Sequence, residues 1–291
     1  MMLIPILEQV LNGLLAGAYY LLIALGLSLI FSLGGLVNLA HGAFYALGAY
    51  FAVKLADHIG FGGAFVLSPV LVALIGLLVE RFLFRRFYRE DPALGLLLTF
   101  GLAMVAEQAL RLVFGAAPLP FSIPEALKGQ VLAGDFIYSR YRLTMLAVAV
   151  AAVAALWYLL QRTPFGRVVR AGVQNPDMVA ALGISLAPYM SSVVAISVAL
   201  AGLAGVLLAP ITGVHPSMGA EILTASFVVV VIGGLGSFWG VVYAALIVGV
   251  VRGLTVYFFP PAAEASMYLL MLLVLLFRPR GLFGERIVRF E

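Results

Sequence analysis

Between Val10 and Leu33 the chain carries no charged side chain. A bilayer core of about 30 Å is crossed by about 20 apolar residues in an α-helix, so this run is long enough to span a membrane. Similar runs follow near Leu36–Val53, Gly62–Val79, Ala93–Phe114, Leu143–Leu160, Pro188–Ala209, Ile222–Gly236, Val241–Phe259 and Ala265–Phe277. In lipid a helix satisfies its own backbone groups. The expected fold class is therefore all-α: a polytopic transmembrane helical bundle of eight or nine membrane segments, one domain over residues 1–291. The first run lacks the basic flank of a signal peptide, Glu8 being the only charge before it, and reads as a retained helix. Leu36–Val53 and Ile222–Gly236 are rich in small residues and read as half-helices, which need protein or a water-filled cavity beside them.

Composition excludes the soluble alternatives. Apolar residues make up 64% of the chain and charged residues 10%, against about 25% charged in soluble domains. Mean hydropathy is +1.15. With no cysteine there is no disulfide, no thiolate-bound metal and no thiol nucleophile.

The net charge of +4 reads as topology rather than as affinity for nucleic acid, because the arginines gather at the ends of apolar runs. Arg81, Arg85, Arg86 and Arg89 follow the third run, Arg162, Arg167 and Arg170 the fifth, and Arg278, Arg280, Arg286 and Arg289 the last. The positive-inside rule puts all three groups in the cytoplasm, with the C-terminus, and puts a loop near 115–142 outside. The N-terminus falls outside if the second run spans. In that loop Gln130-Val131-Leu132 and Phe136-Ile137-Tyr138 flank Ala133-Gly134-Asp135, which predicts a β-hairpin. Gly13-x-x-x-Gly17, Gly236-x-x-x-Gly240 and Gly249-x-x-x-Gly253 predict close helix packing.

Enzymatic and pump chemistry find no motif. The two lysines, Lys54 and Lys128, do not sit in a P-loop, so the chain has no such ATP site. His41, His58 and His215 are isolated, which leaves no local metal motif, and no catalytic residue is expected. Gly236-Ser237 is similar to the glycine-flanked serine of intramembrane proteases, but no histidine follows it.

Few ionisable groups lie at depth. Glu107 and Arg111, four apart, read as a mutually neutralising pair. Glu80 reads as structural, and Arg252 either as structural or as facing an acid or a polar cavity. Asn38 and His41 lie near the start of the second run on a face shared with Tyr45, beside Gly42, which permits close approach; that face is either a cavity wall or packing. In the later half, His215-Pro216-Ser217-Met218-Gly219 followed by Glu221 forms a second polar interruption. Paired interruptions in two halves point to a transport site. The pathway candidates are thus Asn38, His41, Tyr45, His215 and Glu221. These residues alone also admit an ion-coupled secondary transporter working through Glu107 or Glu221.

The loop near 161–187 holds a short capped helix: Asn175 as N-cap, Pro176 at the first position, Asp177 near the positive end and Gly183 as the stop. Thr163-Pro164 begins a similar turn upstream. Met178, Val179, Ala181 and Leu182 would be exposed outside the membrane, and such an apolar knob asks for a partner groove. Arg167 and Arg170 beside it suit an acidic rim or lipid headgroups.

Here the chain resembles a known family. Arg170-Ala171, Gln174-Asn175-Pro176, Ala180-Ala181 and Gly183-Ile184 resemble the coupling loop of branched-chain amino-acid importer permeases of the ATP-binding-cassette (ABC) class. Gly34-Gly35-Leu36-Val37-Asn38-Leu39-Ala40-His41-Gly42 with Ala49-Tyr50 is similar to the signature of the H-type subunit, and Gly233-Gly234-Leu235-Gly236-Ser237 with Gly240 to its late glycine motif. The resemblance implies a multi-pass subunit of a bacterial inner membrane, surrounded by lipid and paired with an M-type permease or a second copy of itself. It further implies two cytoplasmic ATPases, which hold the ATP–Mg that this chain does not bind, and an extracytoplasmic binding protein. Arg167, Arg170, Asn175, Pro176, Met178, Leu182 and Gly183 would couple to the ATPases. Related permeases carry urea or short amides, so the cargo stays open between these and branched-chain amino acids.

Overall fold

The computed structural model describes residues 3–88, 90–133 and 136–284. In order the elements are α1 (Leu3–Gly34), α2 (His41–Phe82), α3 (Pro92–Phe114), β1 (Gln130–Ala133), β2 (Phe136–Ser139), α4 (Arg140–Arg162), α5 (Pro164–Gln174), α6 (Pro176–Ala181), α7 (Ala187–Thr212), α8 (Met218–Gly233), α9 (Phe238–Phe258) and α10 (Ala263–Phe277). Among the described residues seven helices are long and apolar enough to cross a membrane. That number treats α2 as one helix, yet Gly60 interrupts it at φ 71° and ψ 170°, a conformation open to glycine alone. With the two arms of α2 separated and the shorter apolar α8 (16 residues) included, nine apolar segments result.

The bundle is helical with one small exception, the expected hairpin: β1 and β2 pair antiparallel from Gln130↔Ser139 to Ala133↔Phe136. Gly134 and Asp135 of its turn lie outside the described residues. Helices α1 and α7 form the buried centre, while α3, α4 and α10 expose most of their surface to lipid or a partner.

In lipid no hydrophobic force gathers helices, so close van der Waals approach and interhelical hydrogen bonds must do so. Glycines make the approach. A side chain at Gly13 or Gly17 would run into the backbone of Gly249 or Ala245, and one at Gly253 into the Gln9 carbonyl, so α1 and α9 interlock along two of the expected glycine pairs. The third pair is corrected. Gly236 turns at φ 88° after Gly234 at φ 95°, ahead of α9, and Gly240 packs instead against Gly233 of α8. Both arms of α2 lie against α7: Gly48 meets Gly202, the Tyr45 carbonyl occupies the space beside Gly205, and Gly76 faces Val198. Hydrogen bonds add Ser191 Oγ to Glu80 Oε2 (2.6 Å) and Tyr141 Oη to the Leu207 carbonyl (2.8 Å). Each such bond contributes about 0.6 kcal/mol in a membrane.

The chain reversals sort the molecule into two ends. At one end Gly34 packs beside Tyr88 and Met190, Gly172 beside Leu33 and Leu186, and Gly234 beside Arg280, which brings the three arginine groups together. Of these, Arg89, Arg286 and Arg289 lie outside the described residues. Tyr88 is half-buried at this end, and that burial pushes its phenol above the usual tyrosine range. At the opposite end the hairpin is tied down: Tyr138 Oη and Arg142 Nη1 both donate to Asn12 Oδ1 of α1, at 3.0 and 2.7 Å. Phe61, just past the break in α2, lies near Phe121 (5.8 Å between ring centroids) and meets Tyr141 edge-on. The loop is also bridged to the α7–α8 connection, where Leu119 and Val214 exchange both main-chain hydrogen bonds (2.8 and 3.1 Å).

Candidate functional site

Both polar interruptions end at helix starts inside the bundle, and the two starts touch. The first arm of α2 begins at His41, not Leu36, because Leu36–Ala40 is a non-helical passage beside α3. Thr99 Oγ1 donates to the Val37 carbonyl at 3.1 Å, which puts that passage about 10 Å along α3 from its first residue. Helix α8 begins at Met218. A side chain on Gly42 would overlap the Gly219 carbonyl, and one on Gly219 would meet that of Gly42.

Asn38 therefore does not share a helix face with His41 and Tyr45. It shapes the turn before α2: its Oδ1 accepts from the Ala40 amide at 3.1 Å and its carbonyl from the His41 amide at 3.2 Å. Asn38 and His41 are both fully buried, the imidazole against Gly26 of α1. They lie behind the cavity wall rather than in it.

Tyr45, His215 and Glu221 are brought together. They line a polar cavity of about 420 Å³ with Tyr19, Tyr20, Arg252, Glu264 and Tyr268, and Leu208, Met218, Ile222 and Met267 supply apolar wall. His215 Nδ1 is 3.1 Å from Ser217 Oγ, which donates to Glu221 Oε1 at 3.3 Å, and His215 Nε2 lies 3.9 Å from Glu221 Oε2. This chain of contacts spans the α7–α8 connection and the first turn of α8. A guanidinium inside an apolar helix costs at least about 2.5 kcal/mol on insertion scales, and Arg252 meets the cavity rather than lipid, one of the two readings its position allows. A second cavity of about 330 Å³ shares the walls Tyr19, Leu208, Thr212 and Arg252 and extends toward the hairpin end, past Gln9, Asn12 and Arg142.

Across α8, a smaller cavity of about 250 Å³ is lined by Gly42, Ala46, Phe100, Glu107, Leu110 and Gly219 among others. Its one charged wall residue is spoken for: Arg111 Nη2 lies 2.7 Å from Glu107 Oε1, the expected pairing.

Sequence reading missed Tyr19, Tyr20, Glu264 and Tyr268. Arg252 had a visible signal, a lone cation in an apolar run; the tyrosines and Glu264 had none, since only packing brings α1 and α10 to one cavity.

The second candidate region is at the arginine end. Asn175 Oδ1 accepts from the Met178 amide at 2.9 Å and Pro176 opens α6, as the sequence predicts. Gly183 at φ 79° closes it: the Gly183 amide donates to the Ala180 carbonyl (2.9 Å) and the Ile184 amide to that of Val179 (3.2 Å), a Schellman stop. Met178 is 59% exposed and Leu182 72%. Val179 is the exception, buried because it faces inward from a two-turn helix. Upstream, Thr163 starts not a bare turn but the 11-residue α5, its Oγ1 accepting from the Gly166 amide at 3.2 Å. Arg167 is exposed and Arg170 half-buried.

A family model for the permease component of branched-chain amino acid transport systems matches residues 9–277. The chain is 28% identical to the high-affinity branched-chain amino acid transport system permease protein BraD of Pseudomonas aeruginosa and to LivH of Escherichia coli, in each case over 96% of this chain and 96% of the relative. It is 30% identical to permease protein LivM of Salmonella typhimurium, over 90% of this chain and 67% of that protein. Since the family match takes in every long apolar helix, this protein belongs to the branched-chain amino acid transport system permease family, a family of multi-pass membrane transporter subunits.

Proposed function

We propose that the chain is one permease subunit of an ABC importer in a bacterial inner membrane, moving branched-chain amino acids inward while partner ATPases consume the ATP. The observation that carries this reading is the α5–α6 knob. It presents Met178 and Leu182 to solvent on a helix capped at its start by the Asn175 side chain and stopped at its end by main-chain hydrogen bonds, and an apolar, rigid projection outside the lipid is suited to a groove on a soluble partner. Arg167, Arg170, Asn175, Pro176 and Gly183 belong to the same projection. The arginine end is then cytoplasmic, the C-terminus with it, and the hairpin end faces a binding protein.

Similarity to both LivH and LivM supports assembly with a second permease subunit. ATP draws the two ATPases together, the knobs move with them, and the bundles rock so that the cavity opens to each side in turn. Nucleotide shifts these states only by its unequal affinity for them. Tyr45, His215 and Glu221 serve the pathway directly; Asn38 and His41 set the helix start behind it. Opposite charges on the cavity wall favour an amino acid over urea or a short amide, which carries no charge to meet them.

The test is uptake of labelled leucine and urea into proteoliposomes holding this chain with its second permease, ATPases and binding protein. ATP-dependent leucine uptake is expected. ATP-dependent urea uptake would replace the cargo and keep the machine, and ATP-independent, ion-driven flux would return the secondary transporter.

A further inference from the structure

We propose that the 420 Å³ cavity is a zwitterion site in which Arg252 takes an α-carboxylate, Glu264 with Glu221 takes the α-ammonium, and Leu208, Ile222 and Met267 meet an apolar side chain. The inference rests on the importer reading and assigns cargo contacts within it.

Cation and anions line one cavity without neutralising one another. Among the described residues no ion pair joins Arg252 to any carboxylate, and its Nε is buried without a hydrogen-bond partner. Glu264, at the head of α10, makes no ion pair or hydrogen bond with a described residue, and the positive end of that helix favours its charge without consuming it. Among the described residues Glu221 holds only Ser217 and, at 3.9 Å, His215. The ordinary structural solution for an arginine at depth is a paired carboxylate. Here acids share the cavity and stand off, which leaves room for a ligand that carries both charges.

The chemistry of the wall agrees. A guanidinium is a planar fork matched to a carboxylate's two oxygens. Tyr19 and Tyr20 line the same cavity as Arg252 and Glu264, so phenol groups are at hand for the remaining hydrogen bonds. The adjoining 330 Å³ cavity adds Arg142 on the way from the hairpin end, a second cation to draw a carboxylate inward.

The experiment is ATP-driven leucine uptake by the complete importer, with the loaded binding protein varied. Arg252→Gln is expected to lower kcat at least about tenfold while KM for loaded binding protein and co-purification of the ATPases stay unchanged; Arg252→Lys, which keeps the charge, should recover part of the rate. Glu264→Gln, at an exposed position, is expected to lower kcat in the same way and carries the test if Arg252→Gln does not assemble. If wild-type importer drives leucine uptake and Arg252→Gln or Glu264→Gln stays within twofold of it, the zwitterion site falls and the importer reading stands. Recovery by the swapped pair Arg252→Glu with Glu264→Arg would make the two residues a salt-bridge gate and overturn the assignment. Absence of ATP-driven leucine uptake by wild type would remove the zwitterion site together with the amino-acid cargo, and the importer would then stand only on ATP-driven uptake of urea or a short amide.

Discussion

At Gly42 the first arm of α2 rests on the backbone of α8, and a methyl group there would overlap the Gly219 carbonyl. Backbone cannot swing aside as a flexible side chain can, so Gly42→Ala is expected to cost about 1–3 kcal/mol. It should lower the thermal midpoint of the purified permease by several degrees. Gly101→Ala, where nothing lies within 4 Å, should leave the midpoint unchanged. Glu80 allows a second comparison: Ser191→Ala removes a 2.6 Å partner from a buried carboxyl group and is expected to cost about 1–3 kcal/mol, whereas Ser191→Ala combined with Glu80→Met replaces both polar groups and should recover most of the loss. Denaturation of the three proteins in one detergent would decide it. The sequence made Gly42 conspicuous, but as a place for a ligand to approach; what approaches is another helix. His215 and Glu221 were legible because they interrupt an apolar run, and Tyr45 because it shares a helix face with His41. Asn38 looked the same in the sequence and proved to be a turn-former, since a polar side chain just ahead of a helix can bond the backbone amide two residues on.

The nine apolar segments were legible at the level of elements because lipid imposes one rule along the whole chain: long apolar runs become helices. Their starts were not. The first arm of α2 begins five residues later than its apolar run and α8 four residues earlier, since hydropathy does not register where a backbone leaves the helix. The α6 cap was legible in full, because Asn175, Pro176 and Gly183 act on neighbours in the chain. Burial of Val179 was not, for it depends on what lies beneath. Asn175→Ala removes the cap, at about 1 kcal/mol, and Leu182→Asp charges the exposed tip. Together they are expected to lower ATP-driven uptake at least about tenfold with no loss of the folded membrane bundle, read as an unchanged elution profile. Full coupling in the double variant would release α6 from the docking role.

For the molecule as a whole, the absence of cysteine makes orientation directly measurable. A single cysteine at Lys128, in the loop leading to the hairpin, should react with a membrane-impermeant maleimide on intact cells, and one at Arg167 only after the membrane is opened. The reverse pattern would invert the bundle. The arginine positions showed that three ends belong together; the tie between the loop before the hairpin and the α7–α8 connection had no sequence signal, because both partners are main chain. That tie is Leu119 with Val214. Leu119 stands between Pro118 and Pro120, and proline has no amide hydrogen to give. Within that triplet a single N–H exists, and it is the one used. A slip of one residue in either direction would present a proline, so the two prolines act as stops that hold the loop in one register, one residue before His215, whatever side chain occupies the position between them.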